Sequence, residues 1–282
     1  MNPVKTFGDV RAWLGDDRVG TAEIARPPDN FFDVDLIASL ADAYAWLDEQ
    51  ASRAIVLCSE GKHFCAGADF AGRTAQARPG AGGAGVGAGG AGVGAGGAGV
   101  GAGGPRKLYD EAVRLFRQQL PVVAAVQGAA VGGGLGLACS ADFRVASPRA
   151  RFWANFARLG LHHGFGLTVT LPAIVGQQRA LEMLYTGRRV GGEEAARIGL
   201  ADRLADRLEL RAAAYELAAE IASSGPLAVR SIRATMRGDL ADRIRAATDH
   251  EVAEQEQLQR TADFAEGVRA SAERRTPRFE GR

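Results

Sequence analysis

Beside a third short strand at 143–146 (Phe-Arg-Val-Ala), two runs of small and β-branched apolar residues, 54–58 and 122–126, constrain this 282-residue chain more than anything else in it. Their apolar positions are consecutive, so a strand built from either run has to be covered on both faces. Helical periodicity supplies the covers. Residues 35–50 place leucines, alanines and a tryptophan at helix spacing before the first run. Residues 107–119 form an amphipathic segment stopped by Pro121, and 133–141 form a small-residue helix entered from a glycine-rich turn. Strand and helix in alternation give an α/β fold with parallel strands. Residues 19–24 add an alternating strand that ends in the turn Arg26-Pro27-Pro28-Asp29-Asn30. Past Gly176 the pattern turns nearly all helical, at 178–184, 192–198, 207–223, 227–237 and 240–274. The chain therefore divides near residue 205 into an α/β core (1–205) and a C-terminal helical region (206–282).

One segment stands apart. Residues 80–104 hold 15 of the 38 glycines and repeat Ala-Gly-Gly-Ala-Gly-Val-Gly three times between Pro79 and Pro105. With no large side chain to bury and a high entropic cost of ordering, it is expected to be a flexible insertion. Gly85, Gly87 and Gly90 match the dinucleotide-binding spacing G-x-G-x-x-G, but a repeat this rich in glycine matches by composition, with no strand before it.

Charge and cysteine content narrow the classes further. Lys plus Arg number 34 against 33 Asp plus Glu, a net charge of +1 that excludes a mainly electrostatic nucleic-acid binder. Three cysteines make no disulfide framework and point to a reducing compartment. No apolar run is long enough to span a bilayer, and the N-terminal residues lack a signal-peptide layout. A cytoplasmic protein with neither membrane nor nucleic-acid partners is expected, and no metal site is expected either.

Two glycine turns carry the chemistry. Residues 61–70, Gly-Lys-His-Phe-Cys-Ala-Gly-Ala-Asp-Phe, follow the first buried strand, and 127–134, Gln-Gly-Ala-Ala-Val-Gly-Gly-Gly, follow the second. Small residues let backbone N–H groups face a cleft, and the second turn opens a helix whose first N–H groups lack internal acceptors and carry partial positive charge. Two such donors aimed at one point make a seat for an oxygen that gains negative charge during a reaction.

At these residues the sequence resembles the crotonase (enoyl-CoA hydratase/isomerase) superfamily. Arg26-Pro27 with Asn30 is similar to that family's first turn, 64–69 to its first signature and 124–142 to its second. Residues 191–200 resemble a later helix and 274–282 the C-terminal tail. The resemblance implies a spiral of ββα units with a helical C-terminal trimerisation region, an acyl-coenzyme A ligand, and assembly as a homotrimer or dimer of trimers. It implies no separate cofactor, since coenzyme A enters as part of the substrate. Carried across, the oxyanion-hole donors fall on Ala68 and Gly133. Lys62, Phe64 and the backbone around Ala66 fall where the family holds coenzyme A, and Asp69 falls in the same turn, accepting from loop amides. Phe279 and Arg282 match tail positions that approach a neighbouring subunit's coenzyme A.

The resemblance fails at the proton-transfer positions. Hydratases of the family use two glutamates to activate water, and this chain has Gly136 and Phe156 at those places. Some isomerases use an aspartate where this chain has Gly164. The titratable groups left nearby are His162 and His163, which titrate near neutrality and suit acid/base work. His63 is expected at the surface and His250 in solvent, while Cys65 and Cys139 read as packing residues. These features imply an enzyme that stabilises an acyl-CoA enolate with a different proton-transfer group. The alternatives are an acyl-CoA-binding pseudoenzyme, or thioester hydrolysis, decarboxylation or dehalogenation using His162 or His163.

Overall fold

In a computed structural model of the chain, residues 3–68 and 104–282 are described. Asp69 and the glycine repeat through residue 103 lie outside them. Among the described residues ten strands form two sheets. Seven of them run in the order β1 (Lys5–Phe7), β2 (Val10–Leu14), β3 (Val19–Ile24), β4 (Ala54–Ser59), β5 (Val122–Val126), β7 (Phe143–Ala146) and β10 (Arg203–Leu204). The first two pairings are antiparallel, and from β3 onward every neighbour is parallel. A second sheet orders β6 (Ala129–Val131), β8 (Arg151–Trp153) and β9 (Arg189–Gly191).

The consecutive apolar runs are explained by burial on both faces. Ile55, Leu57, Val122, Ala124 and Val126 join the large core beneath helices Val34–Glu49 and Gly104–Arg117. Their alternate neighbours Ala54, Val56, Cys58, Val123 and Ala125 face the other way, onto Leu210, Ala214, Leu217 and Ala218 of helix Leu210–Ala222. A pleated strand sends successive side chains to opposite faces, so only a run without polar residues suits both layers.

The expected helix over 240–274 is two helices, Leu240–Leu258 and Ala262–Ala272. The chain breaks where the Thr261 hydroxyl caps the second helix, accepting from Phe264 N at 3.1 Å. The hairpin β1–β2, the three-stranded sheet, strand β10, the short 3-10 helix Phe156–Leu159 and helix Leu167–Val175 escaped the sequence pattern. Among the described residues no helix is long and apolar enough to cross a membrane.

Candidate active site

The two glycine turns are stitched together as one structure. The Cys65 N–H donates to the Ala129 carbonyl at 3.0 Å, and the Val131 N–H donates to the Cys65 carbonyl at 3.0 Å, pairing Cys65 with Ala130 as a parallel bridge. Gln127 donates from its side-chain amide to the His63 carbonyl at 3.0 Å and to the Ser59 carbonyl at 3.0 Å. Asn30, buried and at φ 51°, donates to the His63 carbonyl and the Glu60 carbonyl, both at 2.7 Å, which fixes the first turn against both strands. His63 corrects the sequence reading. It is 5% exposed, because Nδ1 accepts from the Ala129 N–H at 3.1 Å and draws the ring between the turns. Burial holds its pKa below the usual histidine value.

Close approach dictates the glycines of the second turn. A Cβ on Gly134 would lie 2.2 Å from the Cys65 carbonyl oxygen, and one on Gly133 2.3 Å from Cζ of Phe32. Gly132, at φ 55°, turns the chain into helix Gly133–Ser140, which has no side-chain cap. Gly133 therefore begins a helix with its N–H unspent. Among the described residues neither this N–H nor that of Ala68 has an acceptor. Phe32 spans the two sites: its own N–H donates to the Gly67 carbonyl at 3.0 Å, while its ring tip rests over Gly133. Two donors unspent among the described residues thus lie on the bridged turns, one of them at a helix N-terminus, an arrangement suited to a developing oxyanion.

The remaining motif residues differ in availability. Lys62 is exposed, whereas Phe64 is fully buried. The Ala66 N–H is spent on the Asp29 carbonyl at 2.9 Å. Phe279 is exposed, and Arg282 pairs with Glu280 in a tail that Asp263 ties back to helix Ala262–Ala272. Cys65 and Cys139 are buried, their thiols pushed up to about 12 and about 11 by desolvation, which suits packing and not nucleophilic attack.

At the proton-transfer positions the interior is aromatic. A Cβ on Gly136 would lie 2.5 Å from Cβ of Phe165 and 2.9 Å from its ring, so Phe165 occupies the room a side chain at 136 would need. Phe165 sits at φ 62° between Gly164 and Gly166, its ring edge-on to Phe32 (5.7 Å between centroids) and to Tyr109 (6.5 Å). A Cβ on Gly164 would meet the Tyr109 hydroxyl at 1.9 Å. Phe156 is buried, with its ring edge-on to His163 at 6.5 Å.

His162 and His163 stack at 4.2 Å and face helix Leu240–Leu258. The Glu251 carboxylate, fully buried, accepts from Gly166 N (2.9 Å), Thr168 N (3.1 Å) and the Thr168 hydroxyl (2.6 Å), capping helix Leu167–Val175 from another element. The Thr168 proton is spent on Glu251, so its oxygen accepts from Nε2–H of His163 at 2.8 Å. Burial, then the charges of His162 and His250, lower the His163 pKa to about 3. Gln255, whose Oε1 accepts from the Tyr109 hydroxyl at 3.1 Å, donates to the carbonyls of His162 (3.0 Å) and His163 (3.2 Å). Sequence reasoning named the histidines but missed Glu251, Gln255 and Thr168, which hold them. It also missed Phe165.

The parallel sheet, the bridged turns and the helix that starts at Gly133 define a protein of the crotonase class. Residues 95–282 match the sequence profile described as enoyl-CoA hydratase/isomerase. The chain is 40% identical over 207 residues to a Mycobacterium tuberculosis protein named "Probable enoyl-CoA hydratase EchA14", covering 73% of this chain and 72% of that one. It is 37% identical over 161 residues to a Bacillus subtilis relative, spanning 57% of this chain and 62% of that protein. Among solved structures, an enoyl-CoA hydratase/isomerase from Pseudoalteromonas atlantica superposes with a TM-score of 0.78 at 26% identity, over 96% of this chain and 100% of that one. This chain belongs to the enoyl-CoA hydratase/isomerase family.

Proposed function

We propose that the protein processes acyl-CoA thioesters, with the Ala68 and Gly133 N–H groups holding the thioester oxygen and stabilising an enolate. The observation that carries this reading is the pair of unspent amide donors on turns locked together through Cys65. As charge moves from the α-carbon onto the oxygen, both hydrogen bonds strengthen, and each such donor contributes about 3 kcal/mol to lowering the barrier. Coenzyme A is part of the substrate, contacted by Lys62 and the backbone around Ala66, with Phe279 and Arg282 reaching a neighbouring subunit in a homotrimer or dimer of trimers. Proton transfer falls to His162 or His163, since residues 136, 156 and 164 carry no titratable group. Among the reactions an enolate-stabilising site supports, hydration across a double bond fits least, because it needs a paired acid and base around one water.

A second reading is favoured by one observation: His163 is a weak base, with a pKa near 3 and its Nε2 proton committed to Thr168. A site that binds acyl-CoA without turning it over accounts for that. Parallel assays separate the two. Calorimetry is expected to detect binding of acyl-CoA, crotonyl-CoA hydration is expected to be absent, and a panel covering thioester hydrolysis, decarboxylation and dehalogenation is expected to give turnover. The double change His162→Gln and His163→Gln is expected to abolish that turnover and leave binding intact. Turnover that survives it removes the histidines from the mechanism, and binding with no turnover on any thioester establishes the second reading.

A further inference from the structure

The side chain that limits this site belongs to the loop opposite the helix, not to the helix itself. Gly133 and Gly136 are three residues apart and so lie on one face of helix Gly133–Ser140. Phe165 covers that face. Its Cδ2 is 3.5 Å from the Cβ position of Gly133, and its Cβ, Cγ and Cδ1 are within 2.9 Å of the Cβ position of Gly136. The ring is also held. Phe32 and Tyr109 meet it edge-on, and the flanking Gly166 N–H is anchored on buried Glu251 at 2.9 Å. A bulky residue at φ 62° persists only where its surroundings over-determine it.

We propose that Phe165 is the specificity-determining residue of this site, an aromatic end wall that confines it to thioesters of short acyl groups. The inference rests on the reading that a thioester oxygen sits at the Ala68 and Gly133 amides. On that reading, acyl carbons that follow the helix face from the Gly133 amide toward Gly136 meet the Phe165 ring within a few bonds. Apolar pockets discriminate by the methylenes they have room for, and a fixed ring cannot retreat to admit more.

Calorimetric titration of the full-length protein with acetyl-, butanoyl-, hexanoyl- and octanoyl-CoA tests this. Wild type is expected to lose about tenfold or more in affinity between the butanoyl and octanoyl esters. Phe165→Ala is expected to erase or invert that preference, and Phe165→Leu, which keeps a large apolar side chain in the core, to shift it partway. An unchanged butanoyl-to-octanoyl ratio in Phe165→Leu overturns the proposal while the thioester reading stands. A wild type that binds no ester and no free coenzyme A overturns both, so the two failures are told apart.

Discussion

Helix Gly133–Ser140 and helix Pro226–Arg237 bury opposite kinds of residue. The first is uncharged, with every residue buried and aromatic rings laid on two of its glycines. The second docks by its charges. Arg230 pairs with Asp48, while Arg233 and Arg237 converge on Asp142 with contacts of 3.1 and 3.0 Å. Its apolar residues point outward instead: Leu227 is 82% exposed, Ile232 62% and Met236 81%. Shape complementarity within one chain explains the first helix entirely. The second has the polarity of a helix whose apolar face is meant for another surface, and in the proposed assembly that surface is a second copy of the chain.

The largest effect is expected where the inner helix tolerates no atom. Gly134→Ala places a methyl against the Cys65 carbonyl, which is backbone and cannot rotate away, and the bridge between the two turns has to part. A loss of about 3 kcal/mol is expected, seen by calorimetry as a Tm lowered by about 5 °C. Gly191→Ala is the control, because nothing lies within 4 Å of its Cβ position. It is expected to stay within about 0.5 kcal/mol of wild type. Equal losses at both positions would show that glycine is kept here for backbone conformation and not for close approach.

That contrast also marks how far the sequence can be read. Strands β4 and β5 were legible because two-sided burial removes polar residues from the run itself, and β3 by its alternation and the turn after it, whereas β7 carries buried Arg144 and lacks that signature. The hairpin β1–β2 was not legible, since Lys5 and Thr6 are exposed and their pairing depends on partners across a turn. Helix Leu167–Val175 was hidden because its cap is no local Ser, Thr or Asp but Glu251, 85 residues beyond Gly166. The two turns announced themselves by their glycines. The burial of His63 and the place of Phe165 did not, because each fills space left by a residue distant in the chain: His63 at Ala129, Phe165 at Gly136.

Between the two regions lies the loop of His162 and His163, and there pH is the probe. The folded His163 pKa is about 3. An unfolded histidine titrates at about 6.5. Below about 6.5 the unfolded chain takes up a proton that the folded chain refuses, so this contribution to stability is complete above that pH and shrinks as pH falls. Glu251, pushed up by burial, acts with the opposite sign, since the folded carboxyl keeps a proton to higher pH than the unfolded one. Comparison with His163→Gln isolates the histidine, since Gln retains a donor for Thr168. Between about pH 6.5 and pH 4.5 wild type is expected to lose about 2 kcal/mol more than the variant in urea unfolding. Parallel curves would mean the ring accepts a proton without leaving its place.

The smallest effect on stability is expected at the outer helix, and there the smallness is the informative result. Leu227→Ser and Met236→Ser remove side chains that touch little within one chain, so unfolding of the dissociated protein is expected to shift by no more than about 0.5 kcal/mol. Association is a different matter. If a second copy covers this face, both changes weaken assembly, and light scattering over a dilution series is expected to show the variants dissociating at higher concentration than wild type. The outward-facing leucine and methionine cost little to mutate in an isolated subunit because the burial they are suited to occurs only between subunits. An assembly that holds through both substitutions would leave the inverted helix without that explanation, and would move the subunit contact to the tail and helix Ala262–Ala272.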